Sequence, residues 1–213
     1  MRRALFLVVS LLLVPSMAAT AADVEGRLSD AERADLLELL DSSARDLLAL
    51  IESATDEQWR WKPNPDRWSI GECAEHIVLS ERMLYQTALE ALETPADPEW
   101  ATKTAGKTEF LKRVMPNRNP GGAGGAQAPQ EIRPVQGLSR DEVVRRFNAS
   151  RAEIRAFVAA LDAPAKEHIV EHPFPVFGSL NAYDWLIYVP LHTVRHSRQI
   201  VEVQETAGYP QAR

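Results

Sequence analysis

Apolar residues recur at steps of three and four in four stretches of the chain. From Ser29, the series Leu36, Leu37, Leu40, Ala44, Leu47, Leu48 and Ile51 leaves Glu32, Arg33, Asp41 and Arg45 largely off its stripe, as an amphipathic helix requires. A second pattern runs from Ser69 to about Leu92. A third follows Ser139 through Val143, Val144, Phe147, Ile154, Phe157, Val158 and Leu161. A fourth runs from a cap at Asn181 to about Thr206, where Gly208 and Pro210 stop it. Ser29 with Glu32, Ser69 with Glu72 and Ser139 with Glu142 each have the capping-box spacing, in which two side chains satisfy free backbone N–H groups at a helix start. Each stripe is too narrow to stand alone in water, so the four together predict an all-α fold, a four-helix bundle.

The connections are unequal. Residues 55–68, TDEQWRWKPNPDRW, form a short aromatic-rich link in which Pro63 and Pro65 forbid continuous helix. Residues 94–138 form a long crossover between the second and third helices, with a short helix expected around Lys107 to Met115. Its tract PGGAGGAQAPQ at 120–130 reads as a mobile surface loop rather than a lid, being rich in glycine and poor in apolar side chains. Pro190 falls inside the fourth helix and predicts a kink there.

Ahead of these patterns, residues 1–21 carry two arginines, an apolar run from Ala4 to Val14, a helix-breaking Pro15 and small residues up to Ala21, the order of a secretory signal peptide. The run is short of the ~20 residues that span a bilayer, so cleavage and export, to the periplasm or beyond, are expected. Residues 22–213 then form one domain with no stable membrane insertion. Of the 213 residues, 45% are apolar and 25% charged, which suffices for a soluble core. The net charge is −6, or −8 once Arg2 and Arg3 leave with the leader, and no basic run suits nucleic acid. A homodimer is left open. With Cys73 the lone cysteine, there is no intrachain disulfide and no multi-cysteine metal site, so a metal would be held by His, Asp or Glu.

Histidines stand at 76, 168, 172, 192 and 196. His192 and His196 are one helical turn apart and share the line Trp185, Val189, His192, His196, Gln199, Val203, whose apolar ends point it into the bundle. A shared cation would satisfy both rings. On the second helix the inward line Cys73, His76, Ser80, Met83, Thr87 offers a third imidazole, although His76 reads equally well as a hydrogen-bonded core histidine. Three imidazoles from two helices would leave a coordination position open for water or substrate. Glu72, one turn before His76, is a candidate general base whose capping role already accounts for it. Tyr188, one turn before His192, is the other catalytic candidate, against a reading as core aromatic. Cys73 reads as a small buried hydrophobe rather than a fourth ligand. His168 and His172 read as rim residues. Trp59, Trp61 and Trp68 either line a substrate mouth or fold the 55–68 link onto the bundle end.

The blocks EQWRWKPNPDRWSIGECAEHI at 57–77 and EHPFPVFGSLNAYDWLIYVPLHTVRHSRQI at 171–200 resemble the DinB-like (DinB/YfiT-like) superfamily of metalloenzymes. The likeness lies in the Trp-Ser-Ile-Gly-Glu opening with a His four residues after Glu72, the His-Pro and Phe-Gly lead into the last helix, and the ending LHTVRHSRQI. It implies an up-down-down-up bundle and a divalent metal such as zinc, nickel or iron on His76, His192 and His196. Family activities include thiol-dependent transfer with bacillithiol or mycothiol and thiol-dependent maleylpyruvate isomerisation. The leader departs from the cytosolic members, and no residue here marks a thiol pocket. The expectation is an exported metal-dependent hydrolase or transferase acting on a small molecule. The alternatives are a non-catalytic metal-binding or stress-response protein, and a metal-free bundle with hydrogen-bonded histidines.

Overall fold

In the computed structural model, residues 26–118 and 128–211 are described; the signal-peptide reading of 1–21 and most of the glycine tract fall outside them. In chain order the elements are α1 (Asp30–Glu52), α2 (Asp56–Arg60), α3 (Ile70–Leu92), α4 (Trp100–Lys103), α5 (Lys107–Val114), a 3-10 turn (Gln130–Ile132), α6 (Arg140–Ala160), β1 (Ile169–Glu171), β2 (Ser179–Asn181) and α7 (Ala182–Gln204). The four long helices are the four periodic stretches. Among the described residues, no helix is long and apolar enough to cross a membrane.

Local chemistry sets the helix starts. The boxes at Ser29 and Ser69 form, each serine N–H donating to its glutamate at 2.8 Å. A similar box, Asn181 with Asp184, opens α7. At Ser139 only half of the box forms: Ser139 Oγ accepts from the Glu142 N–H, but the Glu142 carboxylate turns away to Arg145 and Arg146. Two guanidinium groups within a turn outcompete one backbone N–H. The 55–68 link also holds a short helix that its prolines had hidden: Thr55 and Gln58 cap α2, which ends at Arg60 before Pro63. Pro190 lies within α7 without ending it.

In the bundle, α1 and α3 each pack against both α6 and α7. Arg33 near the start of α1 donates to the carbonyls of Val158 and Leu161 at the end of α6, so these two helices run antiparallel. Glu81 and Tyr85 of α3 meet Arg151 and Phe157 of α6, a parallel pairing. Arg67, just ahead of α3, reaches Glu202 near the end of α7, so α3 and α7 run antiparallel. The apolar interior forms two clusters. One gathers Leu36, Leu40, Leu84, Ile154, Leu186 and Ile187; the other gathers Leu47, Ile51, Ile70, Ile77, Phe147 and Val203.

Two features tie the connections to this frame. Buried Glu75 accepts from the backbone N–H groups of Gln136 and Leu138 at 2.7 and 3.0 Å, drawing the end of the crossover across the start of α3. Antiparallel β1 and β2, paired Ile169 to Asn181 and Glu171 to Ser179, make a small hairpin that delivers the chain into α7. Strand was not expected from the sequence. Three residues per strand are too few for alternation to show, and the reversal rests on Gly178 with φ 61° and on the His172 N–H bond to its carbonyl.

Candidate metal centre

The antiparallel α3–α7 contact brings His76, His192 and His196 together. One ring nitrogen from each lies within 4.8 Å of the others, and the ring centroids are 4.4 to 5.2 Å apart. Three side chains that the sequence placed on two inward faces thus meet at one point. His76 and His196 are buried, and His192 is partly so. Neither Cys73 nor Glu72 joins the group.

Hydrogen bonds set the tautomers. His76 Nδ1 lies 2.7 Å from the carbonyl of Ile132; a carbonyl only accepts, so Nδ1 carries the proton and Nε2 keeps its lone pair. His196 Nδ1 lies 2.8 Å from Gln199 Oε1, which also accepts from Arg118 Nη1 at 3.0 Å. A guanidinium only donates, so it fixes the amide with its oxygen toward His196 and leaves Nε2 of that ring unprotonated as well; the Ser80 hydroxyl lies 3.3 Å from His76 Nε2. Among the described residues, His192 makes no hydrogen bond. All three rings are held below the ordinary imidazole value first by burial: His76 to about 4, with His192 and His196 lowered further by the neighbouring imidazoles. Neutral imidazoles with convergent lone pairs are the donor set that imidazole-binding divalent ions take, with the outer nitrogens held as in known sites.

The other predicted residues divide. Glu72 is occupied by the Ser69 N–H and by Lys62 at 2.9 Å, so it works as a cap. Tyr188 stacks toward His192, centroids 6.1 Å apart, and burial pushes its hydroxyl up to about 12. Cys73 is fully buried in the α3 core and burial pushes its thiol up. His168 donates or accepts nowhere near the cluster; its Nδ1 meets the Thr94 carbonyl. His172 corrects the rim reading. It is buried, stacked on Trp185 at 5.1 Å and on Tyr188 at 5.6 Å, with Nδ1 accepting from the Phe174 N–H. The hairpin folds it inward, which a non-helical segment ending in His-Pro does not announce.

Of the three link tryptophans, only Trp68 reaches the histidines, its ring 4.8 Å from His76 and 6.2 Å from His196. Trp59 packs on Gly71 and donates to the Leu138 carbonyl at 3.3 Å, and Trp61 meets Tyr209. Sequence reasoning missed Ile132 and Arg118. Ile132 acts through its backbone, which no side-chain pattern reports, and Arg118 arrives by the path of the crossover. Gln199 was on the inward line, three residues after His196, and that spacing was the available signal.

Residues 39–200 match the DinB superfamily. Among curated proteins, the chain is 24% identical over 156 residues to YuaE, an uncharacterised protein of Bacillus subtilis (strain 168), covering 73% of this chain and 88% of that one. No solved structure matches. With three-quarters of its length, His76, His192 and His196 included, inside the family match, the chain belongs to the DinB superfamily.

Proposed function

We propose that the chain binds one divalent ion through His76, His192 and His196 and uses it in hydrolytic or group-transfer chemistry on a small molecule outside the cytoplasm. The observation that carries this reading is the convergence of three neutral imidazoles, two of them with Nδ1–H tied to outer acceptors and Nε2 left to donate. Membership of a family whose members typically bind a divalent metal supports it. Export rests on the order of residues 1–21 alone.

When bound, the ion supplies Lewis acidity, because three neutral donors leave its charge unneutralised. The residues around it have separate tasks. Ile132 and Gln199 hold two rings in the ligating tautomer, and the Trp68 ring packs beside His76 and His196. Tyr188, protonated throughout the physiological range, offers a hydroxyl donor beside His192 rather than a base. Metal analysis of the chain purified from its native compartment should find about one divalent ion per chain, lost in the His192→Ala, His196→Ala double variant. Unchanged metal content in that variant would remove the site.

The burial of His76 and His196 under Trp68 and the Ile132 carbonyl favours a second reading, storage or sensing of the ion without turnover. Assays of the metal-loaded chain on small esters and amides separate the two: turnover that disappears in His76→Ala supports the enzyme, and metal binding without turnover the second reading.

A further inference from the structure

Positive charge collects around the histidine cluster. Arg118 bonds through Nη1 to Gln199, the partner of His196, and through Nε to Glu202 at 3.2 Å. The other oxygen of Glu202 takes Arg67 at 3.3 Å. Arg195 stands on α7 between His192 and His196, half-buried, and makes no ion pair among the described residues. Two guanidinium groups therefore share one carboxylate, and a third, Arg195, stands nearby without one, in a chain whose net charge is −6.

Arg195 is the least accounted for. Its Nη1 donates to the backbone carbonyls of Met115 and Asn117, while Nε and Nη2 take no protein partner among the described residues. Holding a half-buried cation with no ion-paired carboxylate among the described residues costs stability that a bound carboxylate would recover. Positions 188, 192, 195 and 199 also follow steps of four, three and four, so Tyr188, His192, Arg195 and Gln199 lie along one side of α7.

We propose that this side of the centre is an oxyanion subsite: a small molecule bearing a carboxylate or phosphate group places one oxygen at the ion and another on the free N–H groups of Arg195, with Arg118 adding to the positive field. A planar guanidinium fork matches either group, the neutral imidazoles do not repel the anion, and a divalent cation attracts it. The inference deepens the metal reading and takes the position of the ion from it. It narrows the substrate to anionic small molecules.

The test uses cobalt(II) in the full chain and follows its visible absorption while inorganic phosphate or acetate is added. Saturable change with either anion is expected, weakened about tenfold or more in Arg195→Met and partly restored in Arg195→Lys, while cobalt affinity stays within about threefold of the parent. Arg198→Met is the control. Arg198 holds the same turn, through the Pro116 carbonyl and Asn117, so loosening that turn affects both variants alike, whereas loss of the subsite affects only Arg195→Met. Equal weakening in Arg198→Met and Arg195→Met would overturn the subsite. So would the absence of any anion effect on a cobalt-loaded chain. If cobalt fails to bind, calorimetry of the metal-free chain with phosphate decides: Arg195-dependent binding keeps the subsite while the metal reading falls, and no binding removes both.

Discussion

His76 is committed to one tautomer by a carbonyl from the far side of a long crossover, and its burial has a measurable cost. In the metal-free chain the unfolded state takes up a proton at this position near pH 6.5, whereas the folded state resists until about pH 4. Stability is therefore full above pH 6.5 and is lost as the pH falls toward 4, by about 3 kcal/mol for His76 alone, with His192 and His196 adding in the same direction. Thermal unfolding between pH 7 and 4.5 should show this slope, and it should flatten in a variant with all three histidines replaced by alanine. The same burial means that protonation competes with an ion at lower pH than the ordinary value of 6.5 suggests. Cys73 makes the opposite case, a reactive residue type made inert. Cys73→Ala should retain the metal, show no loss of metal–sulfur scattering in X-ray absorption, and cost about 1 kcal/mol for the small void. A metal–sulfur distance near ~2.3 Å that vanishes in this variant would contradict the packing role. The three histidines were legible because helical spacing and apolar neighbours both reported their faces. Ile132, Arg118 and the inward turn of His172 were not, since each depends on where a non-periodic connection runs.

At the level of elements, the four long helices were legible because periodicity and caps agreed at each start. The half-formed box at Ser139 shows where that reasoning stops: the serine spacing is local, but the choice of partner for Glu142 is decided by Arg145 and Arg146. The link at 55–68 shows the reverse, where the prolines drew attention from the Thr55 to Gln58 cap ahead of them. This link is seated by contact between Gly71 and Trp59. A Cβ on Gly71 would lie 2.6 Å from Trp59 Nε1 and 2.8 Å from its ring carbon, far inside contact distance. Gly71→Ala should therefore lower stability by about 1 to 3 kcal/mol through overpacking, although alanine is the better helix former. Thermal denaturation checks the direction. An increase in melting temperature would show that the tryptophan moves aside without cost.

Across the whole molecule, the two apolar clusters are separated by a charged layer that uses all four long helices. Arg151 of α6 meets both oxygens of Glu81 on α3, at 3.2 and 2.8 Å, and also the Leu40 carbonyl and Ser43 on α1 and Thr193 on α7. Both ionic side chains are almost fully buried, 6% and 1% exposed. Removing one partner, as in Arg151→Met or Glu81→Leu, should cost about 3 to 5 kcal/mol, while the double variant should recover much of that loss because no charge is left unpaired. Chemical denaturation of the two single variants and the double variant measures the difference; additive losses would count against the pairing. Because Thr193 adjoins His192, the layer also acts as a ruler between α3 and α7. A slide of α3 by one turn would strand Glu81 and misplace His76 together. The layer's place between the two apolar clusters predicts two cooperative units that open separately. Amide protons of α3 before Glu81, beside the histidines, and those after it, toward Leu92, should exchange with solvent at different opening free energies, and replacing the layer with apolar side chains should merge the two into one.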